Sequence, residues 1–307
     1  MQTRRMFLGA GVAGLASTAL ARSQGMLVHL SCGAIGVKAT QTEAIEYAAK
    51  YGFDAVDADG RYLNGLSESD SKRLQDDMRA KKIVWATAGL PVEFRKDDAA
   101  FAESFKTFPD YVAGLKRAGV ERVTTWIMPV SADTTYIVNF RNHSKRLRDA
   151  ARVLDDHGMR LGLEYVGPKT LWASRRYQFV HTMAEMKDLL GEIGTSNVGF
   201  VLDSWHWYTS GETRSDLLTL RARQVISVDL NDAPVGIPVD QQVDGKRELP
   251  AATGVIDVKS FLGALKEIGY DGPVRAEPFN EAVRRMPPDQ AITATKAALD
   301  KAFSQVG

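Results

Sequence analysis

Eight short runs of β-branched or apolar residues, each followed by a longer stretch of helical period, constrain this chain more than any other feature. The strand candidates are residues 27–31, 55–58, 83–88, 122–126, 160–164, 199–203, 225–229 and 274–277. The helical patterns between and after them run over about 41–51, 68–81, 99–118, 136–157, 182–193, 215–220, 258–268 and 288–304. Several strands follow a glycine placed to end a helix: Gly52, Gly119, Gly158 and Gly269. Repeated βα units build either a closed (β/α)8 TIM barrel or a doubly wound open sheet. The open sheet usually carries a Gly-rich phosphate loop after its first strand. Here Ser31-Cys32-Gly33-Ala34-Ile35-Gly36 matches that pattern poorly. No Pro/Ser-rich or low-complexity linker interrupts the pattern. The expectation is an α/β protein, a single-domain TIM barrel over residues 22–307.

Residues 1–21 read as an address. Arg4-Arg5 precedes Phe7-Leu8 and a weakly apolar run that exits through Ala19-Leu20-Ala21, and no acidic residue occurs before Glu43. The apolar run is shorter than a bilayer span, which needs about 20 residues. The pattern is that of a twin-arginine signal peptide, which exports folded and often metal-loaded proteins to the periplasm. Cleavage after Ala21 leaves 37 basic against 38 acidic residues. A near-neutral balance argues against a nucleic-acid partner. With Cys32 as the single cysteine, an intrachain disulfide and a thiolate zinc site are both excluded. No stable membrane association is expected once the signal is gone, and a homo-oligomer is compatible with the sequence.

In a TIM barrel the active site forms where strands end and βα loops begin. The last four strand candidates all end in a carboxylate: Glu164, Asp203, Asp229 and Glu277. By the two-residue alternation of strands, Glu164 shares a face with Gly162, Asp203 with Val201, Asp229 with Ser227 and Glu277 with Arg275. If those faces point inward, four anions converge at one mouth. Like charges that close raise each other's pKa, and a divalent cation resolves the conflict. All-oxygen ligation suits one Mn²⁺ or Mg²⁺. Any single one of these carboxylates could instead cap a helix or join a salt bridge. His206, three residues past Asp203, is placed just above the metal to bind a substrate hydroxyl or support the ligands. His29, Trp85 and Trp126 are candidates to line the mouth, the aromatics by stacking on sugar C–H faces. The long charged loop over residues 231–255 reads as a functional lid, with Arg247 as a substrate clamp.

The segments Tyr51-Gly52-Phe53-Asp54-Ala55-Val56-Asp57, Gly162-Leu163-Glu164, Asp203-x-x-His206, Asp229-Leu230-Asn231-Asp232, Arg247-Glu248-Leu249-Pro250 and Gly269-Tyr270-Asp271-Gly272-Pro273 with Glu277-Pro278 resemble the sugar phosphate isomerase/epimerase family of xylose-isomerase-like barrels. The resemblance covers nearly the whole chain after the signal. It implies a metal held by Glu, Asp, His and Glu from strands five to eight. Glu164, Asp203 and Glu277 match that set, and Asp229 stands where many members have His. It also implies that the substrate contacts of keto-sugar epimerases are absent. Thr170 stands where they have a second Glu, and Val235 where they have an Arg. DNA-repair relatives use extra histidines that this chain lacks.

The sequence therefore points to a metal-dependent isomerase or epimerase of a non-phosphorylated sugar. Glu164 and Glu277 would move a proton through an enediolate. A lyase or dehydratase acting on a keto-glycoside or inosose needs the same metal and base. A non-catalytic periplasmic sugar-binding barrel is the third reading.

Overall fold

The computed structural model describes residues 25–307, so the signal-peptide reading of residues 1–21 lies outside the described residues. Eight parallel strands close a barrel in sequential order. They are β1 (Leu27–Leu30), β2 (Ala55–Ala58), β3 (Val84–Gly89), β4 (Arg122–Trp126), β5 (Arg160–Glu164), β6 (Val198–Asp203), β7 (Val225–Leu230) and β8 (Pro273–Ala276). Every strand lies within two residues of its expected bounds. Among the described residues no helix is long and apolar enough to cross a membrane.

The helices form the outer layer, and their ends follow local chemistry. The helix Gln41–Tyr51 starts with a capping box, in which Thr40 accepts the Glu43 N–H while Glu43 accepts the Thr40 N–H. The four glycines expected to close helices all adopt left-handed φ, between 70° and 81°. The helical stretch expected over 99–118 is two helices, Asp98–Phe105 and Phe108–Ala118. Pro109 explains the break: it has no N–H to donate to the preceding turn but fits the first turn of a new helix. Helices of four to six residues, such as Gly60–Asn64, Lys169–Trp172 and Ser204–Thr209, are too short to show a period in the sequence.

The core is one continuous cluster of buried side chains between barrel and helices. Trp85 belongs to it rather than to the mouth. It is the second residue of β3, at the far end from the βα loops, and its indole N–H donates to the carbonyl of Ala118 at 2.9 Å.

Strand register positions the polar interior. His29 of β1 pairs with Arg275 of β8, Arg275 with Asp229 of β7, and Asp229 with Asp203 of β6. Directly paired residues of parallel strands project to the same side. One backbone-defined row thus carries a histidine, an arginine and two aspartates around the barrel.

Candidate active site

The four strand-end carboxylates converge. Glu164, Asp203, Asp229 and Glu277 each offer an oxygen within 4.8 Å of the others, and Glu164, Asp203 and His206 form a second such group. Asp203 combines two roles that looked like alternatives in the sequence. Its Oδ1 caps the helix Ser204–Thr209 by accepting the Trp205 N–H at 2.8 Å, and it accepts the Asn231 amide at 2.9 Å. Its Oδ2 faces the interior and accepts from Arg247 at 2.7 Å. Asn231 also accepts the Glu277 N–H through its side-chain oxygen at 3.0 Å, which ties the ends of β6, β7 and β8 together.

Two guanidiniums share this anionic cluster. Arg275 donates from Nε to Asp229 Oδ1 at 2.6 Å and from Nη2 to Asp229 Oδ2 at 2.8 Å and Glu277 Oε1 at 2.9 Å. Arg247 comes from the long loop yet is 2% exposed, and its Nη1 donates to Asp203 and, at 3.2 Å, to Glu277 Oε2. Asp244 steers it, accepting from Nη2 at 2.8 Å through the carboxylate and from Nε at 3.0 Å through the backbone carbonyl. The aromatic rings of Trp205 and Phe279 flank the same guanidinium.

Glu164 differs from its three neighbours. Its Oε1 is buried without a hydrogen-bond donor. Burial, reinforced by the charges of Glu277, Asp229 and Asp203, raises its pKa well above the usual carboxylate range. Burial also lifts Glu277, to about 7, against the opposing pull of Arg275. His206 is buried, and burial together with Arg247 lowers its pKa to about 3, so the ring is neutral. The Gly167 N–H donates to its Nδ1 at 3.2 Å, and Arg247 Nη2 lies 3.3 Å from its Nε2. The same Nε2 lies 3.6 Å from Glu164 and 3.7 Å from Asp203.

The remaining sequence candidates are spread around the rim. His29 is buried and paired with Asp57 of β2 at 2.9 Å, in the same register row as the cluster. Trp126 pairs in register with Glu164 and is 40% exposed, with the Arg95 guanidinium 4.6 Å from its ring centroid.

The long loop after β7 is not a free lid. Buried Asp232 accepts the backbone N–H groups of Ala233, Thr253, Gly254 and Ile256 at 2.7–2.9 Å, and its own backbone pairs with that of Glu248. Thr170 donates to the carbonyl of Gln242 at 2.7 Å, and Val235 points to solvent, 67% exposed. Neither residue faces the cluster as a substrate contact.

Arg275, placed by strand alternation on the face of Glu277, carried no expected role, and neither did Asn231 or Asp244. The same period-two count, extended past the strand end, reaches Asn231, two residues after Asp229. Nothing in the sequence marks Asp244 within its charged loop.

A family model described as a xylose isomerase-like TIM barrel matches residues 45–302. An inosose isomerase of Bacillus velezensis is 23% identical over 272 residues, covering 85% of this chain and 91% of that protein. A 3-dehydroshikimate dehydratase of Pseudomonas aeruginosa is 23% identical over 276 residues, covering 84% of this chain and 39% of that protein. Among solved structures, a xylose isomerase domain protein from Alicyclobacillus acidocaldarius superposes with a TM-score of 0.80 at 30% identity, covering 92% of this chain and 99% of that one. The IOLI protein, solved with a binding zinc atom, superposes with a TM-score of 0.76 at 20% identity, covering 92% and 99%.

Proposed function

The chain belongs to the xylose isomerase-like TIM barrel family, and from that premise we propose that it is a divalent-metal-dependent isomerase or epimerase of a non-phosphorylated sugar, keto-sugar or inosose. The observation that carries the proposal is Glu164, a buried carboxylate without a donor beside three others. The donor set suits a divalent cation. Four carboxylates against two guanidiniums leave an anionic surplus in a buried site, which a hard cation relieves. Glu164, Asp203 and Glu277, with Asp229 in the same cluster, would hold it. All-oxygen ligation favours Mn²⁺ or Mg²⁺, and the zinc atom in the IOLI protein supports the divalent class. When bound, the ion supplies Lewis acidity toward a substrate carbonyl and its neighbouring hydroxyl.

The protein's own groups do the proton transfer. Glu164 and Glu277 would remove and return the proton on the carbon beside the carbonyl, as general base and acid on opposite faces of a planar enediolate. His206 offers its Nε2 to a substrate hydroxyl, and Arg247 donates to substrate oxygens. Burial of Asp203, His206 and Arg247 keeps water from the intermediate.

Incubation with Mn²⁺ in D2O and a panel of inososes and keto-sugars, followed by proton NMR, tests the proposal. Loss of the proton signal beside the carbonyl is the expected result. No exchange with any of them would overturn it. The dehydratase relative supports a second reading on the same site, elimination of water from an enediolate. A product lighter by one water selects it over an isobaric product. Export belongs to the proposal too and rests on Arg4-Arg5 and Ala19-Leu20-Ala21. If Arg4→Lys/Arg5→Lys still reaches the periplasm as efficiently, the twin-arginine route is wrong.

A further inference from the structure

We propose that Arg275 withdraws Asp229 from the metal's ligand set, so that the ion is held by Glu164, Asp203 and Glu277 alone. The inference rests on reading this cluster as a metal centre and specifies how that centre is built. Both Asp229 oxygens are engaged by one planar fork, at 2.6 and 2.8 Å. Bidentate guanidinium–carboxylate pairs are the strong, geometrically fixed kind. The fork is also fixed by the backbone, because Arg275 and Asp229 are direct register partners on adjacent strands. Asp229 is 1% exposed, so water does not compete for it.

The other three carboxylates differ. Glu164 has an oxygen with no donor at all. Asp203 Oδ2 and Glu277 Oε2 share a single nitrogen of Arg247, at 2.7 and 3.2 Å. Asp244 keeps that guanidinium paired through Nε and Nη2, so an ion can take either oxygen without orphaning the arginine. Arg275 has no such freedom. If Asp229 turned to an ion, the guanidinium would keep Glu277 Oε1 at 2.9 Å as its one remaining direct carboxylate contact. Breaking a buried pair in this way leaves an uncompensated charge. Arg275 is therefore a positioning residue. It holds Asp229 and one Glu277 oxygen, and its charge sets how strongly the centre attracts a cation.

Isothermal titration of the metal-stripped protein with MnCl2 tests this, with Arg275→Gln, Arg275→Gln/Asp229→Asn and Glu164→Gln alongside the wild type. The double substitution deletes a pair of zero net charge. If Asp229 is no ligand, its dissociation constant stays within about threefold of wild type, whereas Glu164→Gln, which removes a ligand, weakens binding by about a hundredfold. Arg275→Gln frees Asp229 and removes a nearby positive charge, so it tightens binding by about tenfold or more. Thermal melts check that each variant is folded. If Arg275→Gln alone fails to fold, the double variant decides. A loss beyond threefold in the double variant overturns this inference and leaves the metal reading standing. Binding by Arg275→Gln but not by wild type supports the inference in its strongest form. No binding by either ends the metal reading and this inference together.

Discussion

Asp232→Ala should cost more stability than its loop position suggests, and the loss should reach the active site. The carboxylate is fully buried and accepts four backbone N–H groups, from Ala233, Thr253, Gly254 and Ile256. An orphaned buried donor costs at least about 1 kcal/mol, so four give about 4 kcal/mol if the loop keeps its fold. If undocking the loop costs less, the loop leaves instead and the global transition shifts by that smaller amount. Both routes reach Arg247, because Asp232 pairs through its backbone with Glu248, the next residue. Asp232→Asn is no conservative replacement, since its amide nitrogen would face two of the N–H donors. Urea denaturation measures the stability, and hydrogen exchange at Thr253, Gly254 and Ile256 separates global loss from local undocking. An unfolding free energy within about 1 kcal/mol of wild type, with those amides as protected as before, would refute the reasoning.

Glu164→Gln should lower proton exchange into substrate by about 10³-fold while the melting temperature stays level or rises, because it replaces a carboxyl whose charged form burial and three neighbouring carboxylates oppose; a clear drop in melting temperature would mean that Glu164 is structural. Gly162→Ala should destabilise by about 1–3 kcal/mol, since its Cβ would lie 2.9 Å from Val201 Cγ2 and 3.0 Å from Ile226 Cβ, and kcat should fall because Glu164 is two residues on; wild-type values for both would show that the barrel interior yields. His143 is buried against Phe94 and Phe179, and burial, with Arg95 and Arg146 nearby, lowers its pKa to about 4. A base with a lowered folded-state pKa contributes stability above its unfolded value of about 6.5 that is lost as pH falls toward 4, here up to about 3 kcal/mol. His143→Phe should flatten that slope in urea titrations at pH 7, 5.5 and 4, and an unchanged slope would assign acid sensitivity elsewhere.

The fold was legible because each strand is a short apolar run between breakers, and the period-two rule carried from strand to site. Glu164, Asp203, Asp229 and Glu277 converge as that rule requires. What the sequence hid was compensation. Arg275 lies on the expected face, but its fork to Asp229 depends on the register between β7 and β8, which a single strand does not reveal. Arg247 reads from the sequence as a substrate clamp on a lid. Its descent into the cluster depends on Asp232 and Asp244 tying the loop, contacts that link residues across a segment without periodicity. Trp85 was legible too, since a residue near the start of a parallel strand lies at the end away from the βα loops. The split at Pro109 was legible in principle, and the apolar pattern running through it masked the break.

The cluster's carboxylates all stand at the ends of β5 to β8, whereas β1 to β4 contribute only the His29–Asp57 pair and Trp126 at the rim. The barrel is therefore divided in chain order as well as in space. The second half of the chain carries the clustered carboxylates as one contiguous block, and the first half supplies a wall. Recombination at the β4–β5 junction would exchange the wall while the carboxylate cluster passes on intact. A lineage built this way can change what it recognises without reinventing its chemistry.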